Sequence, residues 1–137
     1  MSATPITISV GDSRTAAQWK TQRTEWDTFA ATLKGRMGRN CGTENHAEYM
    51  VLPKGRQADL KDVGGFVGGT LRNGSRKRGC CTGRSLITLD MDNCEPGSTA
   101  KWVQAIKDMG TAAVYSTRKH DPEHPRLRAI FPTDRVM

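Results

Sequence analysis

The chain has 137 residues, with 21 lysines and arginines against 14 aspartates and glutamates, and a formal charge of +7. This length allows one domain with a modest core, and the low aromatic content of 6% favours a loop-rich α+β fold. No apolar run reaches membrane-spanning length and no signal peptide is evident, so we expect a cytoplasmic protein without membrane contact. The positive charge favours a polyanionic partner, either nucleic acid or a nucleoside triphosphate.

Residues 1–60 predict one strand followed by helical segments. Ile6, Ile8 and Val10 alternate with polar residues, which is typical of a strand with one buried face. Helices are expected over residues 14–19 and 46–52. The clearest helix begins near Thr24, because four apolar residues recur at helical spacing: Trp26, Phe29, Ala30 and Leu33.

Residues 61–84 form a glycine-rich, basic region. Residues 63–69 contain two Gly-Gly pairs, which either let the backbone approach a ligand or bend a strand. Asn73-Gly74 predicts a hairpin turn that follows a strand over residues 66–72. Eight basic residues flank or occupy this region, and we expect them to meet phosphates: Lys54, Arg56, Lys61, Arg72, Arg76, Lys77, Arg78 and Arg84.

Residues 85–92 predict a strand that ends in two carboxylates. Side chains two residues apart on a strand share a face, so Asp90 and Asp92 point the same way. Leu89 and Met91 then point into the opposite layer. Two like charges this close repel unless a positive group lies between them. We expect that group to be Mg²⁺ or Mn²⁺, which take oxygen ligands and grip phosphates.

The rest of the chain predicts a βαββ arrangement. A helix starts at Ser98 and ends at Gly110, and strands follow over residues 111–115 and 126–131. The first two strands of this unit should be parallel and the third antiparallel to its predecessor. Five apolar residues are expected to anchor the helix to the sheet: Trp102, Val103, Ala105, Ile106 and Met109.

Together these elements predict a single α+β domain over residues 1–137. Its core, over residues 85–132, is a partial RRM-like or ferredoxin-like β-α-β-β half-barrel. An N-terminal strand with helices (1–60) and the glycine-rich basic hairpin region (61–84) extend this core.

A basic, hydrogen-bonding loop should lie beside the two carboxylates, because parallel strands align their carboxyl ends. It carries Ser116, Arg118, Lys119 and His120. Arg126 and Arg128 follow on the next strand and share a face. Acidic metal ligands next to cations and donors suit the handling of a triphosphate.

These residues also carry a resemblance to a known family. Leu89-Asp90-Met91-Asp92 and Ser116-Thr117-Arg118-Lys119-His120 are similar to the first two motifs of the archaeo-eukaryotic primase superfamily. The chain resembles most the N-terminal primase-polymerase domains of phage and prophage replication proteins, the virulence-associated E family. Four runs in order support this: residues 61–69, 84–90, 115–120 and 125–128.

The resemblance implies DNA replication by a nucleotidyltransferase. Asp90, Asp92 and His120 would be catalytic, with both aspartates binding the metal ions and His120 the phosphates of the nucleotide. The remaining implied contacts to nucleotide or DNA template are Ser116, Arg118, Lys119, Arg126, Arg128 and Arg84. A third carboxylate of the family is expected beyond Met137, since Asp134 is a poor substitute. The chain is therefore expected to be truncated, with a helicase domain or the missing C-terminal part as partner.

The sequence also fits other interpretations. A non-catalytic nucleic-acid-binding module derived from such an enzyme fits the charge and the missing carboxylate. A haloacid-dehalogenase-type phosphotransferase also places Asp-x-Asp after a strand, but Cys94 stands where that class has threonine. A zinc site at Cys41 and His46 with Cys80 or Cys81 matches no structural zinc spacing.

Overall fold

The computed structural model describes residues 4–13, 15–36, 45–61 and 65–133. Its strands are β1 (Pro5–Gly11), β2 (Lys20–Glu25), β3 (Gly65–Val67), β4 (Gly69–Leu71), β5 (Cys81–Arg84), β6 (Leu86–Met91), β7 (Ala113–Ser116) and β8 (Leu127–Pro132). Its helices are α1 (Trp26–Arg36), α2 (His46–Met50), α3 (Lys54–Lys61) and α4 (Thr99–Met109). This mixture of helices with small antiparallel sheets confirms the predicted α+β class.

The chain folds as two compact units, a larger one of Met1–Ser85 with Thr133–Met137 and a smaller one of Leu86–Pro132. None of the described helices is long and apolar enough to cross a bilayer. Arg14, Cys41 and Asp134 lie outside the described residues, as do residues 62–64 of the glycine-rich segment. The predictions that rest on those positions therefore stay predictions.

The larger unit is built around β1, which pairs in an antiparallel manner with β2 on one side and β3 on the other. Ile6 and Ile8 are buried, as the alternating pattern predicts. Ser9 on the opposite face is also buried, and its hydroxyl is satisfied because it donates to the carbonyl oxygen of Gly69 at 2.8 Å. Ser85 is hydrogen-bonded to β1, because its hydroxyl accepts the backbone N–H of Thr7 at 3.0 Å.

The predicted helix over residues 14–19 is wrong for the described residues 15–19, which form turns and irregular backbone. Trp19 is buried there because its ring lies against Gly11, where an added Cβ would come within 2.5 Å of the indole. A tertiary contact, not a helical face, accounts for its burial. Residues 20–25 then form β2, which was not predicted, so the helix expected to begin near Thr24 begins at Trp26.

Helix α1 begins at Trp26, and its apolar stripe packs as predicted. Trp26, Phe29 and Leu33 are buried. The Phe29 ring meets Phe66 of β3 edge-on, with centroids 4.9 Å apart. Helix α2 confirms the short helical turn predicted over residues 46–52. Helix α3 was not predicted, and reciprocal hydrogen bonds between its Gln57 and Tyr49 of α2 hold the two helices together.

The glycine-rich segment bends the chain. Strands β3 and β4 are separate, with Gly68 between them. The carbonyl oxygen of Gly68 accepts the N–H of Ser85 at 2.9 Å. Strands β4 and β5 form a hairpin in which an added Cβ on Gly69 would collide with the backbone of Gly83. The loop of this hairpin spans residues 72–80, which is longer than the two-residue turn that Asn73-Gly74 alone indicates.

In the smaller unit the strand order is β6-β8-β7, and β8 is antiparallel to both neighbours. Strands β6 and β7 therefore run parallel, as predicted, with β8 inserted between them. This is the split βαβ arrangement of ferredoxin-like folds. The core of this unit contains Leu86, Ile106, Leu127, Ala129 and Ile130.

Two expectations about burial in this unit are wrong. Of the five residues expected to anchor α4, Ile106 is buried, whereas Trp102 and Met109 are 39% and 66% exposed. Leu89 was expected to point into a packed layer, but 42% of it is exposed on β6, at the edge of the sheet. Ser98 and Gly110 bound α4 as predicted, although the Ser98 hydroxyl donates to the carbonyl of Glu95 instead of capping the helix.

Candidate functional site

The register of β6 against β8 places Asp90 opposite Arg128. The guanidinium Nε of Arg128 donates to Oδ1 of Asp90 at 2.6 Å, and a second nitrogen lies 3.4 Å from Oδ2. This two-point contact fixes the orientation of both side chains. The pair is accessible, with 48% of the Asp90 side chain and 38% of the Arg128 side chain exposed.

Tyr115 contributes a third group from the other edge of the sheet. It pairs with Arg128 across β7 and β8, and the guanidinium carbon lies 6.0 Å from the centre of the phenol ring. Partial burial alone would lower the pKa of Arg128, but its hydrogen bonds with Asp90 and Tyr115 raise that pKa above its ordinary value. Arg128 is therefore a permanent cation held between a carboxylate and an aromatic ring.

Asp92 has an arginine partner of its own. Its Oδ1 lies 3.6 Å from Nε of Arg126, and both side chains are accessible. Arg126 is two residues before Arg128, so the spacing of the arginines matches that of the aspartates on the antiparallel strand. We call Asp90, Asp92, Arg126 and Arg128 the carboxylate–arginine cluster.

The backbone of Arg126 joins the cluster to the loop after β7. Its carbonyl oxygen accepts the N–H of Thr117 at 3.0 Å, and its own N–H donates to Nδ1 of His120 at 3.0 Å. A ring nitrogen that accepts an N–H bond carries no proton, so neutral His120 has its hydrogen on Nε2. His120 is thus fixed as a donor through the nitrogen that the backbone does not use.

The rest of this loop is held by Asp121. Its Oδ1 accepts the backbone N–H groups of Glu123 and His124 at 2.8 and 3.0 Å. Desolvation alone would raise the pKa of Asp121. The two hydrogen bonds and the nearby His124 outweigh it and lower that pKa below its ordinary value. A bond from the Gly97 N–H to the Pro122 carbonyl, 2.7 Å long, ties this loop to the one that follows β6.

The family model of the VapE N-terminal domain matches residues 2–137. The chain belongs to the VapE N-terminal domain family. Neither the curated proteins nor the solved structures include a significant match. Membership places the chain among phage- and prophage-type replication-associated proteins, and this confirms the coarser part of the resemblance drawn from its motifs.

This VapE N-terminal domain brings most of the predicted site residues into its smaller unit. Asp90, Asp92, Arg126 and Arg128 form the cluster, and His120 is bonded to its backbone. Three others lie on the end of β7 and the loop after it: Ser116, Arg118 and Lys119. Arg84 lies on β5, in the larger unit, and so is not among the residues that the smaller unit gathers.

Each of the two aspartates in this VapE N-terminal domain pairs with an arginine of β8 or of the segment just before it. The metal ion expected between the two carboxylates stays a prediction. Among the described residues no three His, Cys, Asp or Glu side chains converge as a metal site. Two adjacent carboxylates nevertheless suit Mg²⁺ or Mn²⁺, which prefer oxygen ligands and retain several waters. Tyr115 was not among the residues predicted for the site. Its place in the motif run was visible, but its contact with Arg128 depends on the order of the strands.

Proposed function

We propose that the smaller unit binds the triphosphate of a nucleotide together with Mg²⁺ or Mn²⁺, as part of a primase-polymerase that contacts a DNA template. The observation that supports this most directly is the carboxylate–arginine cluster. It combines two accessible oxygen-donor side chains with two arginines on the neighbouring strand. Side chains that suit a metal ion thus lie beside side chains that suit phosphate.

In this proposal Asp90 and Asp92 hold the metal ion. When bound, the ion would neutralise charge that develops on the triphosphate. The two carboxylates leave several coordination positions for water and phosphate oxygens, as Mg²⁺ commonly requires. Both side chains are about half exposed, at 48% and 49%, so the ion reaches them without rearrangement of the core.

Arg126 and Arg128 then exchange partners, from carboxylate to phosphate. Ion pairs as accessible as these contribute only about 0–1 kcal/mol each to stability. A ligand bound with micromolar affinity gains about 8 kcal/mol. Breaking both pairs therefore does not prevent binding. Arginine suits the exchange, because its planar guanidinium binds carboxylate and phosphate with the same two-point geometry.

His120 supplies a neutral donor for a phosphate oxygen. Its Nδ1 is occupied by the backbone of Arg126, so its Nε2–H is the group that remains for a ligand. The side chain of that same residue, Arg126, pairs with Asp92. We expect Ser116, Arg118, Lys119 and Arg84 to add contacts to nucleotide or template.

Isothermal titration calorimetry with a nucleoside triphosphate and Mn²⁺ tests this function. The double variant Asp90→Asn with Asp92→Asn should lose binding at least about tenfold, because it lacks the charged metal ligands. Glu95→Gln with Glu123→Gln removes the same charge from exposed positions outside the cluster and should bind like the wild type. Equal binding by the aspartate variant and the wild type would refute the assignment.

A non-catalytic nucleic-acid-binding module is the second candidate function. It is favoured by the fact that both aspartates are already paired with arginines and that no three-ligand cluster exists among the described residues. This candidate predicts nucleic-acid binding that depends on salt but is unaffected by EDTA. Filter binding with and without EDTA shows whether nucleic acid binds without metal, and the calorimetry decides between the two candidates, because only the first requires a bound triphosphate with Mn²⁺.

A further inference from the structure

The hairpin loop of residues 72–80, which we call the basic loop, joins β4 to β5. Its four cationic residues are all exposed: Arg72, Arg76, Lys77 and Arg78. The sequence around it contains no acid, since residues 63–89 include no aspartate or glutamate. Among the described carboxylates, none forms an ion pair with Arg72, Lys77 or Arg78. The loop thus presents a concentrated positive charge.

The basic loop has a defined backbone conformation. The N–H of Arg72 donates to the carbonyl oxygen of Cys80 at 2.7 Å, and the N–H of Cys80 donates to the carbonyl oxygen of Lys77 at 3.0 Å. Asn73 and Gly74 both adopt positive φ, at 54° and 65°, which makes the sharp reversal after β4. Cations on an ordered loop lose less conformational entropy when they bind than cations on a flexible tail.

Trp19 attaches this loop to the core of the larger unit. Its backbone N–H donates to the carbonyl of Gly74 at 2.8 Å. The guanidinium of Arg76 lies 5.2 Å from the centre of the indole ring. Trp19 itself is 5% exposed, so the loop rests on a buried anchor. Arg76 therefore helps to hold the loop, while Lys77 and Arg78 next to it face solvent.

We propose that the basic loop binds the phosphodiester backbone of nucleic acid, through Lys77 and Arg78 and without reading bases. Exposed cations that no nearby carboxylate neutralises are the typical electrostatic footprint of such binding. The loop offers no apolar side chain larger than Cys80, whereas segments that bind lipid surfaces combine basic with large apolar residues. This surface lies in the larger unit and needs no metal, so it is separate from the nucleotide function proposed above.

Fluorescence anisotropy with labelled oligonucleotides in EDTA tests the proposal, with single-stranded and duplex DNA of equal length as separate arms. The variant Lys77→Ala with Arg78→Ala should bind at least about tenfold more weakly at 0.1 M salt. Its plot of log affinity against log salt should be shallower by roughly 0.7 per lost contact on single strands and about 0.9 on duplex. The arm with the larger change identifies the preferred form.

Two further variants distinguish the charge of the basic loop from the net charge of the protein and from effects on the fold. Lys101→Ala with Lys107→Ala removes two exposed lysines from α4 and should bind nearly as the wild type does. Lys77→Arg with Arg78→Lys keeps both charges and should also retain binding. The Lys77 and Arg78 alanine variant should also bind nucleoside triphosphate with Mn²⁺ as the wild type does, so failure of this proposal and failure of the nucleotide function are distinguishable.

The proposal is overturned if the Lys77 and Arg78 alanine variant keeps wild-type affinity and salt slope. It is equally overturned if the α4 variant loses as much affinity for the oligonucleotide, because the net charge of the protein alone would then explain the effect. Weak binding by the charge-conserving variant, or tighter binding to anionic phospholipid vesicles than to DNA, also contradicts it. Unchanged thermal midpoints for all variants exclude misfolding as the cause.

Discussion

Arg126 and His120 are joined by a hydrogen bond in which the arginine backbone N–H donates to the imidazole Nδ1 at 3.0 Å. The side chain of the same arginine points to Asp92, 3.6 Å away. One residue therefore sets the tautomer of the histidine with its backbone and the position of a carboxylate with its side chain.

His120 has two separable tasks, and two substitutions distinguish them. In His120→Asn the amide oxygen replaces Nδ1 as acceptor for Arg126, but the outward donor is lost. We expect normal stability and triphosphate binding weaker by about 1 kcal/mol, the size of one hydrogen bond. His120→Ala also leaves the Arg126 N–H without this acceptor and should lower the free energy of unfolding by about 1–3 kcal/mol. Calorimetry and urea unfolding provide the two measurements, and equal stability of both variants would contradict this division.

The Asp90–Arg128 pair should contribute little to stability, although its geometry is good. Since 48% and 38% of the two side chains are exposed, solvent screens their attraction. A double-mutant cycle with Asp90→Asn and Arg128→Gln should give a coupling free energy of about 1 kcal/mol or less in urea unfolding. A coupling above about 3 kcal/mol would be typical of a buried pair, and would contradict the easy exchange of partners that we propose.

Metal and triphosphate should bind cooperatively, because each releases the groups that the other needs. A metal ion that takes Asp90 and Asp92 frees both arginines for phosphate. We expect Mn²⁺ to bind at least about tenfold more tightly when tripolyphosphate is present, a coupling of about 1.4 kcal/mol. Calorimetric titration of Mn²⁺ measures this, after subtraction of Mn²⁺ binding to free tripolyphosphate. Identical affinities with tripolyphosphate and with chloride would rule out the exchange.

Gly11 should be intolerant of a side chain, whereas Gly55 should accept one. An added Cβ at Gly11 would lie 2.5 Å from the indole of Trp19, so the ring would have to move. Gly11→Ala should therefore lower the free energy of unfolding by about 1–3 kcal/mol. Gly55 lies in α3, where an added Cβ would have no atom within 4 Å. Gly55→Ala should therefore raise the free energy of unfolding by about 0.5–1 kcal/mol. Thermal unfolding of both variants tests these two predictions. Changes in thermal midpoint of the same sign would contradict them.

Sequence patterns predicted the elements whose apolar residues are periodic. Strand β1 and helix α1 follow from such patterns, and most of the expected residues are buried: Ile6, Ile8, Trp26, Phe29 and Leu33. The burial of Ser9 on the other face of β1 did not follow from the pattern. Strand β2 escaped prediction because its sequence, KTQRTE, contains no apolar residue. It is a strand because the edge of β1 supplies its hydrogen-bond partners, and that information lies elsewhere in the chain.

The candidate site was predictable in composition but not in pairing. The spacing of Asp90 and Asp92 showed that they share a face, and the same rule applied to Arg126 and Arg128. Which arginine faces which aspartate depends on the register of β6 against β8, and neither strand's own sequence states where its partner begins. The contact of Tyr115 with Arg128 needed, in addition, the insertion of β8 between β6 and β7.

The central position of β8 makes its register critical for both of its neighbours at once. A slip by one residue would turn Arg128 to the opposite face and bring Leu127 or Ala129 beside the carboxylates. Since both edges of the sheet hydrogen-bond to this single strand, neither could compensate for the slip. Insertions or deletions of one residue in the segment that leads into β8 should therefore be far more damaging than most point substitutions there.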